Sequence, residues 1–128
     1  MRKLVIMAGD VRAEATLNDS PTTDALWAVL PIEAAANVWG QEIYFGIPLA
    51  APETPDARQD MEIGEIAFWP PGTAFCIFFG PTPVSHGGKP RAYSPVNPLG
   101  KIDGDATVFR AVKDGEMVTL AKAEGAQA

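Results

Sequence analysis

Aromatic residues dominate the part of the sequence best suited to binding a ligand. Eight of the eleven aromatic side chains fall between residues 39 and 79: Trp39, Tyr44, Phe45, Phe68, Trp69, Phe75, Phe78 and Phe79. Successive side chains of a strand point to opposite faces, so this group cannot all enter one core. The remainder either packs beneath neighbouring loops or lines an apolar cleft in which Tyr and Trp supply polar groups. We predict a ligand-binding cleft that includes Tyr44, Phe45, Trp69, Phe75 and Phe79.

Three polar residues further along the chain could complete such a site. His86, the only histidine, is followed by two glycines and is either an exposed residue or a donor or general base at the cleft. Arg91 and Asn97 lie in residues 84–100, which we predict as a long irregular loop, and such loops often carry binding residues. The sequence that follows Asn97 is also typical of a structural turn. We predict that His86, Arg91 and Asn97 form the rim of the cleft.

The single cysteine, Cys76, cannot form an intrachain disulfide and lies in an apolar stretch. A buried, unreactive thiol is the simplest interpretation, because a nucleophilic cysteine needs a base nearby. One histidine and one cysteine are too few ligands for a zinc site. We therefore predict no set of catalytic residues, no metal and no cofactor.

Composition and charge narrow the classes of partner. The chain has 128 residues, of which 47% are hydrophobic, with a formal net charge of -6. This length and composition predict one globular domain over residues 1–128. Because the basic residues are scattered and outnumbered, we expect no nucleic acid and no anionic membrane as partner. No apolar run reaches the length of a membrane span, and a single cysteine fits a cytoplasmic location.

Short stretches of alternating polarity predict most of the secondary structure. About eight strands are expected, at residues 4–8, 11–17, 32–38, 42–45, 64–69, 74–79, 107–112 and 116–121. The nearly continuous apolar sequence of residues 74–79 indicates a strand that is buried on both faces. Gly9 and the Asp114-Gly115 pair predict hairpins between the first two and the last two strands.

One helix and two irregular segments complete the predicted architecture. Residues 20–30 are expected to be helical, with Ser20 as N-cap, Pro21 in the first turn and Pro31 as the stop. Residues 48–60 and 84–100 are predicted as loops, and residues 123–128 as a frayed tail. Together these elements predict a mostly β fold, a closed barrel of about eight strands with the short helix capping one end.

Three segments carry a resemblance to a known family. They read NVWGQEIYF at residues 37–45, GEIAFWPPG at residues 64–72 and FCIFFGPTP at residues 75–83. Together they resemble the small microbial cyclophilin-like domain family, an abbreviated version of the cyclophilin barrel, over nearly the whole chain. The resemblance implies an eight-stranded barrel with an end-capping helix, and it implies a fold more than an activity, since most of that family has no known function.

The resemblance also brings in the chemistry of true cyclophilins, which are prolyl isomerases. Their site places an arginine from a barrel strand beside a hydrophobic proline pocket. The strand that looks similar here, residues 43–46, contains no arginine. An isomerase would therefore depend on Arg58 or Arg91 reaching the groove from elsewhere.

Three functions remain open at this point. The first is binding of a small molecule or a proline-containing peptide in the aromatic cleft. The second is a weak or altered peptidyl-prolyl isomerase that uses the same groove. The third is a structural or oligomeric module, such as a homodimer, whose aromatic residues form a subunit interface.

Overall fold

The computed structural model describes residues 2–123, which form a mostly β structure with one α-helix, α1 (Pro21–Val29). Two 3₁₀ helices span Pro70–Gly72 and Ala106–Ala111. The strands are β1 (Lys3–Ala8), β2 (Val11–Leu17), β3 (Ile32–Ala35), β4 (Asn37–Trp39), β5 (Glu42–Gly46), β6 (Arg58–Asp60), β7 (Glu65–Trp69), β8 (Ala74–Phe78), β9 (Arg91–Ile102) and β10 (Met117–Lys122).

The predicted first hairpin and helix are confirmed. β1 and β2 pair antiparallel around a tight turn, with Ala8 opposite Val11. The Ser20 side chain accepts a hydrogen bond of 3.2 Å from the Thr23 backbone N–H and so caps α1, which satisfies one of the free donors of the first turn. Leu26 of α1 is fully buried in the core.

The sheet departs from the prediction in closure and in strand number. Residues 2–123 contain ten strands in one sheet system, in the order β3-β10-β1-β2-β9-β7-β8-β5-β4, with β6 paired to β9. The prediction of a closed barrel is wrong, because β3 and β4, at the two ends of this order, are not paired with each other. These strands are instead consecutive in the chain and separated only by Ala36. The predicted strand at residues 32–38 is thus two strands that lie at opposite ends of the sheet.

Backbone hydrogen bonds hold the chain where it passes between the two ends of the sheet. The Ala36 N–H donates to the Glu116 carbonyl at 2.8 Å, and the Ala36 carbonyl accepts from the Gly115 N–H at 2.7 Å. The Asp114 carboxylate accepts from the Val38 N–H at 2.9 Å. The turn before β10 therefore fixes this crossing.

Two apolar clusters lie on the two faces of the sheet. The larger, the interior cluster, includes Leu26, Phe45, Phe75 and Phe109. The smaller, the outer cluster, lies on the opposite face and consists of Met61, Ala67, Cys76, Phe78, Ala92 and Val96. Every residue of β8 is buried, which confirms the prediction of a strand covered on both faces.

The longest strand lies where the sequence predicted a loop. β9 includes Pro95 and Pro98, and it pairs with β2, β6 and β7. Proline lacks the N–H that a regular ladder requires, but it is tolerated at bulges. Pro98 lies opposite Ala67 beside a register shift between β7 and β9. Because prolines read as loop residues, the prediction of a loop over residues 84–100 is wrong from Arg91 onward.

Other predicted boundaries also change. Residues 107–112 form most of a 3₁₀ helix instead of a strand, because the Asp105 carboxylate accepts a 2.9 Å bond from the Thr107 N–H and caps it. There is consequently no final hairpin, and β10 pairs with β1 and β3. The predicted loop over residues 48–60 ends in β6. Ala123 is buried and its N–H donates to the Lys3 carbonyl at 3.0 Å, whereas the rest of the predicted tail lies outside the described residues.

Candidate functional site

An aromatic cavity of about 190 Å³ opens over the outer cluster, on the face of the sheet away from the interior. It is lined by Trp39, Glu42, Tyr44, Trp69, Cys76, Ala92, Tyr93 and Val96. Strands β4, β5, β7, β8 and β9 therefore all contribute to it. The lining is mostly apolar, with a single carboxyl group, which is typical of a small-molecule site.

The alternation of each strand explains which side chains enter the cavity. On β5, Ile43 and Phe45 point to the interior, so Glu42 and Tyr44 point to the opposite face. On β8, Phe75 and Ile77 are interior and Cys76 faces the cavity. The same two-residue period that builds the core thus builds the site.

Tyr93 joins the two tryptophans of the cavity. Its ring lies edge to face with Trp39 at 6.2 Å between centroids, and with Trp69 at 6.0 Å. The Trp69 indole N–H donates to the Ser94 hydroxyl at 2.6 Å, which fixes the orientation of that ring. Tyr93 is itself 69% exposed, so one wall of the cavity is an accessible side chain.

Glu42 is the buried acid of this site. Its side chain lies in the cavity wall although the residue is only 5% exposed, and burial, partly opposed by a hydrogen bond from the Cys76 thiol, raises its pKa from 4.5 to about 8. The Oε1 atom has no hydrogen-bond partner within residues 2–123. Near neutral pH Glu42 is therefore mainly a protonated carboxyl group with unused hydrogen-bonding capacity.

Cys76 behaves as predicted for an unreactive thiol. It is buried, and burial, followed by the nearby Glu42 carboxyl, raises its pKa well above 9.0. The thiolate is the nucleophilic form of cysteine. At neutral pH Cys76 therefore remains a protonated thiol.

The structure brings together only part of the predicted site. Tyr44 and Trp69 line the cavity as neighbours. Phe45, Phe75 and Phe79 lie in the interior cluster, where Phe45 and Phe75 stack at 5.5 Å between centroids. These three rings are separated from the cavity by the sheet itself.

The predicted polar rim lies elsewhere. His86 and Arg91 line a separate surface depression, where Arg91 Nε lies 3.6 Å from Asp60 Oδ1. Asn97 is buried, and its amide donates to Thr22 Oγ1 at 3.1 Å and to the Pro52 carbonyl at 2.9 Å. Asn97 therefore ties β9 to α1 and to the 48–57 segment.

Six lining residues were absent from the predicted site: Trp39, Glu42, Cys76, Ala92, Tyr93 and Val96. Glu42 carried a readable signal, because it lies two residues before Tyr44 and must share its face of β5. Trp39 belongs to the same aromatic group. Tyr93 lies with Arg91 and Asn97 in the segment that was expected to fold over the cleft as a loop, and the loop prediction gave no facing direction for its side chain.

The sequence of this chain matches the model of a known protein family. The family model described as Cyclophilin-like matches residues 2–121. The chain belongs to the cyclophilin-like family. A search of the curated proteins found no match.

A solved structure is similar to this chain in both sequence and fold. The chain is similar to the solution structure of a hypothetical protein from Archaeoglobus fulgidus, with 36% identity and a TM-score of 0.81. The alignment covers 95% of each chain. The likeness therefore extends over almost the complete cyclophilin-like fold.

The cyclophilin-like chain departs from an isomerase site at its arginines. None of the cavity-lining residues in the described part of the chain is an arginine. Arg58 is held by the Glu65 carboxylate, with Nη1 to Oε1 at 2.9 Å. Burial alone would raise the pKa of Glu65, but the Arg58 guanidinium and the Glu62 N–H outweigh it and lower that pKa.

Two other kinds of site are absent from residues 2–123. No group of three or more His, Cys, Asp and Glu residues is arranged to hold a metal ion there. No helix in the same residues has the length and hydropathy needed to cross a bilayer.

Proposed function

We propose that this chain is a binding protein whose aromatic cavity takes a small molecule, or one ring-sized side chain of a peptide such as proline. The observation that supports this proposal is the combination of Trp39, Tyr44, Trp69 and Tyr93 around one buried carboxyl group whose Oε1 atom has no hydrogen-bond partner within residues 2–123. Aromatic walls supply apolar contact, and a single polar group fixes orientation.

The size of the cavity limits the ligand. An apolar cavity of about 150 Å³ accepts benzene, and the cavity here measures about 190 Å³. A group the size of one five- or six-membered ring fits this volume. A proline side chain meets that limit, as does a small cyclic metabolite.

A catalytic role has less support than binding. An isomerase needs a donor that acts on the twisting amide. Arg58 and Arg91 do not line the cavity, and each lies beside a carboxylate outside it, Arg58 beside Glu65 and Arg91 beside Asp60. Glu42 carries the one carboxyl group among the lining residues of the cavity, and a protonated carboxyl can hold a ligand without transferring its proton.

Indole signals in NMR spectra test the binding proposal. Small cyclic compounds and a proline-containing peptide would be added to labelled protein, and the three tryptophan N–H signals followed. We expect the Trp39 and Trp69 signals to move and that of Trp27, which lies in the interior cluster, to stay. A Trp69→Ala variant should remain folded, because Trp69 is only half-buried, and should lose affinity at least tenfold. Uniform shifts of all three signals, or none with any compound, would contradict the proposal.

A further inference from the structure

The cavity combines aromatic faces with an acid, and this combination indicates the charge of the ligand. We propose that the ligand is a small alkylated ammonium ion, seated among Trp39, Trp69 and Tyr93 with its charge directed at the Glu42 carboxylate. This inference rests on the binding function proposed above and names the ligand class for the same cavity.

The aromatic walls fit a cation. The Trp39 and Tyr93 planes lie at 72° to each other, and the Trp69 and Tyr93 planes at 85°. Each tryptophan plane is thus steeply inclined to the Tyr93 plane, so the cavity presents aromatic walls in at least two directions, which suits a rounded ion. Cations within about 6 Å of a ring centroid are attracted by its negative face, most strongly by tryptophan.

Glu42 supplies the opposite charge. Its Oε1 atom is buried without a hydrogen-bond partner, and none of the ion pairs within residues 2–123 includes it. Ionising a buried carboxyl group that has no charged partner is costly, and a neighbouring cation offsets part of that cost. An ammonium ligand would therefore supply the cationic partner that Glu42 lacks within residues 2–123.

The surroundings of Glu42 contain no competing charge. The other titratable groups that line the cavity are the Cys76 thiol of β8, the Tyr44 hydroxyl of β5 and the Tyr93 hydroxyl of β9. Two uncharged residues, Ala92 and Val96, complete the wall on β9. The formal net charge of -6 also favours the approach of cations over anions.

Cation binding must be coupled to loss of a proton. The free cavity holds Glu42 mainly protonated below its raised pKa of about 8, and the ion pair requires the carboxylate. Each unit of pH below that value should therefore weaken the binding of a cation by up to about tenfold. A neutral ligand of the same shape should show no such dependence.

Choline and its neutral carbon analogue, 3,3-dimethyl-1-butanol, are matched probes for this difference. Both would be titrated at pH 6, 7, 8 and 9, with the Trp39 and Trp69 indole signals as readout. We expect choline to bind at least tenfold more tightly than the alcohol at pH 9, and its affinity to fall as the pH is lowered. Glu42→Gln should lower the preference for choline to what the aromatic faces alone supply and remove the pH dependence. Glu33→Gln, a change on an exposed residue of β3, should alter neither.

The outcomes separate this inference from the binding function. If the alcohol binds as tightly as choline at pH 9, the cation proposal is wrong although the cavity does bind ligands. If neither probe moves the two indole signals while a neutral cyclic compound or the proline peptide does, the cation proposal is again wrong and the binding function stands. If no compound of either kind moves them, both proposals fail together.

Discussion

Tyr93 and Trp69 meet edge to face across the aromatic cavity, with 6.0 Å between their ring centroids and 85° between their planes. The two residues reach this position from paired strands, β9 and β7. Trp69 is anchored by its bond to Ser94, whereas Tyr93 is held mainly by its contacts with the two tryptophan rings. The most exposed wall of the site thus depends on ring packing.

Removing the Tyr93 ring should separate binding from stability. In Tyr93→Ala we expect ligand affinity to fall about tenfold, because an aromatic contact contributes roughly 0.5–1.5 kcal/mol beyond its buried area. The free energy of unfolding should change by less than about 1 kcal/mol, since the side chain is mostly exposed. NMR titration and urea unfolding measure the two effects. Tyr93→Phe is the control and should retain affinity; a large loss of stability in Tyr93→Ala would mean that the ring supports the fold instead.

Glu42 should make the protein less stable as the pH rises. Its pKa is about 8 in the folded protein and 4.5 as a model value, so between these values the folded state binds more protons than the unfolded state. The contribution of Glu42 to the free energy of unfolding should be greatest below pH 4.5, fall by up to about 1.4 kcal/mol per pH unit up to pH 8, and then level off. Urea unfolding of wild type and Glu42→Gln across pH 5 to 9 measures this. In Glu42→Gln the free energy of unfolding should no longer fall with pH over this range. An equal pH dependence in both proteins would mean that other titratable groups cause it.

The carboxylates with lowered pKa values act in a different pH range. Hydrogen bonds from Lys3 and Thr107 lower the pKa values of Asp103 and Asp105 respectively. Their stabilising effect is present above the ordinary aspartate pKa and is lost only in more acidic solution. A fall in the free energy of unfolding between pH 5 and 8 can therefore be assigned to Glu42 and not to Asp103 or Asp105.

Asn97 should be a residue of the fold and not of the ligand site. Its amide makes two donor bonds, to Thr22 and Pro52, and its Oδ1 accepts from the Thr54 N–H at 3.0 Å. Asn97→Ala removes three hydrogen bonds of a buried amide, one of them to the buried Thr22, and should lower the free energy of unfolding by about 2–3 kcal/mol. Asn37→Ala, a change of an exposed amide with one bond to the Tyr44 carbonyl, should cost less than about 1 kcal/mol. Chemical denaturation measures both, and equal costs would refute the proposed tether.

Gly100 should tolerate no side chain where β9 crosses β2. A Cβ atom at Gly100 would lie 2.1 Å from the Thr16 carbonyl oxygen, so the paired backbones would have to separate. We expect Gly100→Ala to lower the free energy of unfolding by about 2–3 kcal/mol. Gly46→Ala is the control, because nothing lies within 4 Å of its added methyl group, and it should be nearly neutral. Thermal unfolding of the two variants gives the comparison, and similar melting temperatures would show that the crossing relaxes freely.

The sequence predicted the elements whose stability is local or follows a simple period. Ser20 and Pro21 mark the start of α1, and the alternation of residues 11–17 marks β2; both elements are present as predicted. The apolar run around Cys76 correctly indicated burial on both faces. Cyclophilin-like membership followed from three short segments that the family model now covers.

The missed features depend on contacts between distant parts of the chain. β9 is a strand because three other strands pair with it, and nothing local outweighs the turn preference of Pro95 and Pro98. Alternation along β8 shows that Phe75 and Cys76 face opposite sides of the sheet, but it does not show which side is the interior. That assignment depends on which strands pair with β8 and on what covers each face. The chain crossing at Ala36 has no local signal of any kind.

That crossing has a bearing on how the aromatic cavity moves. Within residues 2–123, β4 is the last strand in the sheet order and β5 is its one paired strand, and Trp39 ends β4 three residues after Ala36. The other aromatic walls come from strands with neighbours on both sides. Any loosening of the 113–116 turn would therefore reach Trp39 before the remaining walls, so that a residue change far from the ligand, at Asp114, could set how readily a ligand enters and leaves.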